Sequence, residues 1–294
     1  MEKKLLFIVN PRSGKNKPRG PLYDAVAEFC RGGYLVSVHE TAGTGDATRC
    51  AFEHGGDYDL VVCCGGDGTL NETVNGLMRL PEMPPLGYIP AGSTNDFATS
   101  LGLPGDIRQA AAAIMNGQPR RLDLGRFNQR YFSYVASFGA FTQASYATPQ
   151  SAKNVLGHLA YLLAGIKDIS SLRPYPVELL ADGELISGKF LFGAISNSTS
   201  IGGLLRLPDR HVQMDDGKLE LLLVRCPDNL IELQELVGSL LMQDFNSRWL
   251  SLHHVSRVVV HPREEMEWSL DGEREPGDPM ITVENLPGRL KIIV

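Results

Sequence analysis

The sequence predicts an α/β domain built on a parallel sheet, followed by a mostly antiparallel β-sandwich domain. Three observations carry this reading. Short apolar strands alternate with amphipathic helices as far as residue 122, the pattern of a parallel sheet covered on both faces. Several early strands run straight into glycine-rich turns that open helices. From residue 123 onward the helical period largely gives way to strand-like segments rich in aromatic residues. The expected domains are 1–122 and 123–294.

Taken in order, KLLFIV (4–9) is a buried strand stopped by Asn10-Pro11, and a helix follows over about Pro21 to Arg31. YLVSVHE is the second strand, and a helix from Asp46 to His54 leads into the third, LVVCC. The next helix places Leu70, Val74 and Leu77 at the spacing of one apolar face. PLGYIPAG is a fourth strand. It meets a helix at STNDFATSL, and a further helix over Ile107–Asn116 ends at Gly117. In the second half, RLDLGRFNQRYFSYVASFG has no helical period. A helix over 152–169 then places Val155, Leu159, Leu162 and Ile166 on one face, a stripe that suits core or a lipid cleft. PVELLADGELISGKFLFGAISNS carries an Asp182-Gly183 hairpin signal. GKLELLLVRC, RVVVHP, MEWSLDGE, MITVEN and RLKIIV are strands, with a helix near Leu230 to Gln243.

Bulk properties narrow the function. Of the 294 residues, 43% are hydrophobic and 21% charged, which suits a globular protein with a real core. A net charge of −6 argues against a nucleic-acid binder. A local basic cluster, Arg12, Lys15, Lys17 and Arg19, could still face phosphates or an anionic membrane. The five cysteines form no CxxC pair, so a reducing cytoplasm is the expected compartment, and packing is the expected role of Cys63 and Cys64 at the end of a strand. The apolar run LLFIV is too short for a signal peptide, and no segment reaches the ~20 apolar residues of a membrane span. Membrane contact is therefore expected to be peripheral.

The chemistry concentrates in a few turns. Gly65-Gly66-Asp67-Gly68-Thr69 ends a strand and opens a helix, the outline of a phosphate cradle with unpaired N–H groups and a positive helix end. Thr69 and Glu72 also match a capping box, but capping does not require Asp67. An acid beside bound phosphates implies a cation between them, so Asp67 points to Mg²⁺. NPRSGKNK (10–17) is not a Walker A loop, yet Ser13 and Gly14 offer amides while Arg12 and Lys15 offer charge. PAGSTNDFA repeats the strand–glycine–helix grammar, with Ser93 and Asp96 a second capping pair and Thr94 and Asn95 able to bond a phosphate or a base. Loops at the carboxyl ends of parallel strands line one edge, where ligands bind. SLDGE (269–273) and MDDGKLEL (214–221) read as turns by default, but Asp271 and Glu273 flank a glycine that needs only one of them.

Together, NPRSGK, GGDGTLNE, PAGSTNDFA, LGHLAY, DDGKLEL and SLDGE, in that order, resemble the soluble lipid kinases of the diacylglycerol-kinase catalytic type. NAD kinases and phosphofructokinases are more distantly similar. The resemblance implies an ATP-binding α/β domain followed by a β-sandwich domain that takes the lipid. It implies nucleotide contacts at Asn10, Pro11, Arg12, Ser13 and Gly14, at Thr41, at Gly66, Asp67, Gly68, Thr69, Leu70, Asn71 and Glu72, and at Thr94. It also implies a metal loop using Asp216 with the backbone of Gln213 and Lys218, and a catalytic base at Asp271 or Glu273, with Asp271 favoured. Some relatives extend past the last strand; here the sequence stops almost directly after RLKIIV, so that tail is expected to be absent. The expectation is an ATP- and Mg²⁺-dependent kinase of a lipid hydroxyl, with diacylglycerol the default acceptor and a homodimer one option. An NAD kinase and a nucleotide-binding regulator without turnover are the rivals.

Overall fold

The structure is a computed structural model that describes residues 2–14, 21–139, 160, 163–166, 168–201 and 205–294. The helix expected over 152–169 lies largely outside these residues, as do Lys15, Lys17 and Arg19 of the basic cluster. Two compact units form, residues 1–122 with 288–294, and residues 123–287. The last segment therefore departs from the expected division. Ile292 pairs with Leu86 in the first unit, and Gln118 and Val294 exchange backbone hydrogen bonds at 3.1 and 3.2 Å.

The first unit is a parallel sheet of β1 (Lys3–Val9), β2 (Tyr34–Glu40), β3 (Leu60–Gly65) and β4 (Leu86–Pro90), in the order β2-β1-β3-β4. Its helices are α1 (Pro21–Arg31), α2 (Asp46–His54), α3 (Asp67–Leu77), α4 (Asp96–Leu101) and α5 (Ile107–Asn116). Central strands buried on both faces explain why KLLFIV and LVVCC are apolar throughout instead of alternating. One face buries Leu5, Phe7, Val9 and Val62 under Phe29 of α1 and Ala110 and Ile114 of α5. The α2–α3 pair is joined through Thr48 Oγ1, which donates to Glu72 O at 2.9 Å. With β1 flanked by β2 and β3, the winding direction reverses between β1 and β3. Such a switch point leaves a crevice at the carboxyl ends of those strands.

The second unit is mostly antiparallel. It contains the greater part of β5 (Pro119–Phe127), then β6 (Arg130–Phe132), β7 (Val135–Gly139), β8 (Tyr175–Ala181) and β9 (Glu184–Ser196). A short pair, β10 (Ser200–Ile201) and β11 (Leu205–Arg206), precedes β12 (Leu219–Arg225), α6 (Leu230–Met242), β13 (Leu250–Val255) and β14 (Arg257–Pro262). The hairpin β15 (Trp268–Leu270) and β16 (Glu273–Glu275) follows, then β17 (Ile281–Ile293), which crosses into the first unit. The core packs Phe127, Phe138 and Trp268 against Leu219, Leu221, Val258 and Val260. Asp182 and Gly183 have φ of 45° and 94° and join β8 to β9 with Ala181 opposite Glu184, the tight turn their identity signalled. MITVEN and RLKIIV, read as two strands, are one continuous strand. The sequence reading missed β13, where a polar stretch, Ser251 to His254, is paired to β12.

Candidate active site

Three loops meet at the carboxyl edge of the first unit's sheet. In the 10–14 loop, Asn10 N–H donates to Cys64 O on the neighbouring strand, and Asn10 Nδ2 donates to Thr69 Oγ1 at 3.0 Å. Ser13 Oγ accepts from Gly66 N–H at 3.2 Å. Ala91 N–H donates to Gly65 O at 2.8 Å, which joins the third loop to the second. Gly66 and Gly92 then touch backbone to backbone: a Cβ on Gly92 would lie 2.5 Å from Gly66 Cα. The glycines therefore serve close packing of the loops as well as any approach by a ligand. Thr41 N–H donates to Val9 O, so Thr41 follows the same edge next to Asn10.

Several side chains expected to face a nucleotide also hold this edge together. Asp67 Oδ2 accepts from Asp96 N–H at 3.2 Å and its Oδ1 from Phe97 N–H at 3.5 Å, so the acid sits on the first turn of α4. Tyr88 donates to Gly65 O at 3.2 Å, and burial holds its hydroxyl well above the usual tyrosine range, so it remains a neutral donor. Asn95, left-handed at φ 52°, closes the third loop through Gly92 N–H and Gly92 O. Neither capping pair forms as expected. Glu72 instead accepts from Gly45 N–H at 2.7 Å and Ala47 N–H at 3.3 Å, satisfying orphan donors at the start of α2. α4 begins at Asp96 itself, leaving Ser93 outside it and Thr94 exposed on the loop. Cys63 and Cys64 are buried, as expected for packing, and burial pushes the Cys64 thiol up to about 12; Cys30 is exposed, and all five cysteines are free.

In the second unit, SLDGE is a two-residue hairpin. Asp271 and Gly272 have φ of 48° and 86°, with Leu270 opposite Glu273. The turn separates the two acids. Asp271 is buried, and its carboxylate accepts from Ser133 N–H at 2.6 Å and from Tyr134 and Val135 N–H at 3.0 Å each. Glu273 opens β16 half-buried, 3.5 Å from Arg130 Nη2. In the 213–218 loop, Asp216 Oδ1 accepts from Lys218 N–H at 2.9 Å, and Lys218 Nζ pairs with Asp182. Among the described residues no three His, Cys, Asp or Glu side chains gather as a metal cage. Mg²⁺ bound with a nucleotide needs only one or two carboxylates beside the phosphates, which Asp67 and its neighbour Asp96 could supply.

Sequence reasoning missed Arg130 and the buried Asp123. Asp123 Oδ2 accepts from Gly217 N–H at 2.6 Å and Asn285 Nδ2 at 2.9 Å, supporting the 213–218 loop from below. Asp123 stands between Leu122 and Leu124, so strand alternation puts its side chain on the face opposite theirs, and only the fold shows that this face is buried as well.

A glycine-lined edge at the switch point of a parallel sheet, followed by an antiparallel unit bearing acids in a tight hairpin, is an arrangement that suits a nucleotide-dependent kinase. Residues 4–127 match the family model "Diacylglycerol kinase catalytic domain", and residues 135–294 match "YegS C-terminal NAD kinase beta sandwich-like domain". A diacylglycerol kinase of Bacillus subtilis is 38% identical over 274 residues, covering 92% of this chain and 90% of that protein. One from Staphylococcus aureus is 36% identical over 279 residues, covering 93% and 87%. The crystal structure of a diacylglycerol kinase from Bacillus anthracis superposes with a TM-score of 0.76 at 26% identity, covering 99% of this chain and 96% of that one. The chain belongs to the diacylglycerol kinase family and is a lipid kinase.

Proposed function

We propose that this kinase transfers the γ-phosphoryl group of Mg·ATP to the free hydroxyl of diacylglycerol, giving phosphatidic acid and ADP. The observation that supports it most is the mutual bonding of the 10–14, 65–69 and 91–95 loops at the β1/β3 switch point. That arrangement offers backbone N–H groups and the N-terminus of α3 to phosphates without waiting for a ligand to organise them. Mg²⁺ bound with the nucleotide would supply charge neutralisation, and Asp67 would hold it. Phosphoryl transfer asks the protein mainly for positioning and charge.

Glu273 is the base in this reading, in preference to Asp271. Both oxygens of Asp271 are occupied by three backbone amides, so it shapes the turn. Glu273 is half-buried at the end of that turn and can take the acceptor hydroxyl's proton. A second cation at Asp216, with the carbonyls of Gln213 and Lys218, is part of the proposal. Asp216→Ala should lower activity across a Mg²⁺ titration while leaving ATP affinity unchanged. No helix of the described residues is long and apolar enough to cross a membrane; peripheral contact with the membrane from the cytoplasm is a further part of the proposal. The test is thin-layer chromatography of labelled product after incubation with Mg·ATP and separate acceptors. Diacylglycerol, phosphatidylglycerol, a sphingoid base, an isoprenoid alcohol and NAD cover the alternatives. Labelled phosphatidic acid as the main product is expected; preferential labelling of another acceptor, or no turnover, would overturn the proposal.

A further inference from the structure

The cleft beside the β15–β16 hairpin is lined by Arg126, Asn128, Arg130, Glu275, Asp278 and Glu284, among others. Arg130 reaches the hairpin from it. Arg130 Nη1 pairs with Glu275 Oε2, and Arg130 Nη2 lies 3.5 Å from Glu273 Oε2. Glu273 and Glu275 are two apart on one strand and so project to one side, where they would repel without a cation between them. A guanidinium has two donor edges at fixed spacing and can hold both acids at once, which an ammonium does less well.

Arg130 springs from a segment held on either side. Asn128 N–H donates to Thr282 O at 2.8 Å, Asn128 Oδ1 accepts from Thr282 N–H at 2.9 Å, and Asn128 Nδ2 donates to Asp278 Oδ2 at 2.8 Å. Beyond Arg130, the amides of Ser133, Tyr134 and Val135 hold Asp271. One short segment therefore grips the hairpin twice, at the turn through its backbone and at β16 through Arg130. The ion pair is more than a third exposed on both side chains and so contributes little to stability. Its position, though, sets where the Glu273 carboxylate points.

We infer that Arg130 is a positioning residue of this kinase: it fixes the Glu273 carboxylate and favours the charged form that accepts the hydroxyl proton. The inference rests on Glu273 being the base. The charged groups around Glu273 include Arg130 from β6, Glu275 on its own strand and Asp271 at the turn. Further out in the cleft are the Arg126–Glu284 pair and Asp278, and on β15 and β16 the Glu267–Arg274 pair. Arg130 lies within ion-pair distance of Glu273.

The test uses the full chain and pH profiles of kcat/KM with diacylglycerol. Arg130→Met should lower kcat about tenfold, a fraction of the ~10²–10⁴ that a general base supplies, with KM for Mg·ATP unchanged. Its acidic limb should move to higher pH, because a carboxylate that loses a neighbouring cation binds its proton more tightly. Glu275→Gln removes a neighbouring negative charge and should move that limb to lower pH. Arg130→Lys should recover part of the rate. Arg263→Met, which breaks the distant pair with Glu178, is the control and should match the wild type. A structural role alone would not give opposite shifts in the two variants. If Glu273→Gln is inactive but the Arg130→Met profile superimposes on the wild type, the inference is overturned and the base assignment survives. If Glu273→Gln keeps the wild-type kcat, the base assignment itself is overturned.

Discussion

Replacing Gly92 by alanine tests whether loop-to-loop contact, and not backbone freedom alone, explains the glycines of the nucleotide edge. The added Cβ would lie 2.5 Å from Gly66 Cα and 2.8 Å from Asn95 Oδ1. Carbon atoms rest about 3.5–4.0 Å apart, so the loops must part by about 1 Å. Asn95 cannot rotate away without breaking its bonds to Gly92 N–H and Gly92 O at 2.9 and 3.0 Å. Parting the loops also strains the Ser13 Oγ bond to Gly66 N–H and the Gly65 O bond to Ala91 N–H. Overpacking at ~1–3 kcal/mol with one lost hydrogen bond at ~1 kcal/mol gives about 2–4 kcal/mol of destabilisation. Amides displaced on that scale should weaken Mg·ATP at least about tenfold, equivalent to about 1.4 kcal/mol. Calorimetric titration of Mg·ATP and a thermal melt measure the two effects. Gly66→Ala is the internal comparison. Its Cβ would lie 3.2 Å from Gly92 Cα, and its φ of −86° suits any residue, so both effects should be smaller. Wild-type affinity and melting in Gly92→Ala, or a worse outcome in Gly66→Ala, would refute the reasoning.

Three further outcomes are expected. Asp271→Asn leaves buried amides short of an acceptor and should cost ~1–3 kcal/mol in denaturant unfolding, more than Glu273→Gln costs. Glu72→Ala removes the acceptor for Gly45 and Ala47 N–H and should cost about 1 kcal/mol by the same measurement; no loss there would mean that water replaces the carboxylate fully. The Ala42 N–H bond, followed by His39 and Arg49, holds the Asp46 carboxyl below its ordinary value despite burial. Its folded pKa is thus lower than its unfolded one, so its stabilisation is present above about pH 4 and fades as pH falls through the folded value. Asp46→Asn should accordingly melt below the wild type near neutrality and approach it in acid, and a pH-independent gap would refute this.

Much of the architecture was legible because its signals were local. Asp182-Gly183 and Asp271-Gly272 announced tight turns, and continuous apolar runs announced strands buried on both sides. The meeting of three loops at the β1/β3 switch point was legible because each loop has its own glycine grammar. What was hidden depends on partners distant in sequence. Glu72 looked like the mate of Thr69 three residues away, yet its carboxylate serves amides 25 and 27 residues earlier. Asp271 was favoured over Glu273 as the base, yet the turn commits Asp271 to the amides of residues 133–135 and sets Glu273 beside Arg130. β13 was missed because His253 and His254 break the apolar alternation that Leu250 and Leu252 begin, and pairing with β12 makes the segment a strand.

The return of residues 288–294 to the first unit has a consequence for biosynthesis. A ribosome that has delivered residues 1–122 has made the strands β1 to β4 and all their helices, but not the segment that pairs with Leu86 or the one bonded to Gln118. Until that segment is made, the β4 side of the sheet presents unpaired backbone groups, the kind of edge that recruits other strands. The first unit is therefore completed last, although it is started first. A fragment cut at residue 122 is not the unit that the whole chain folds.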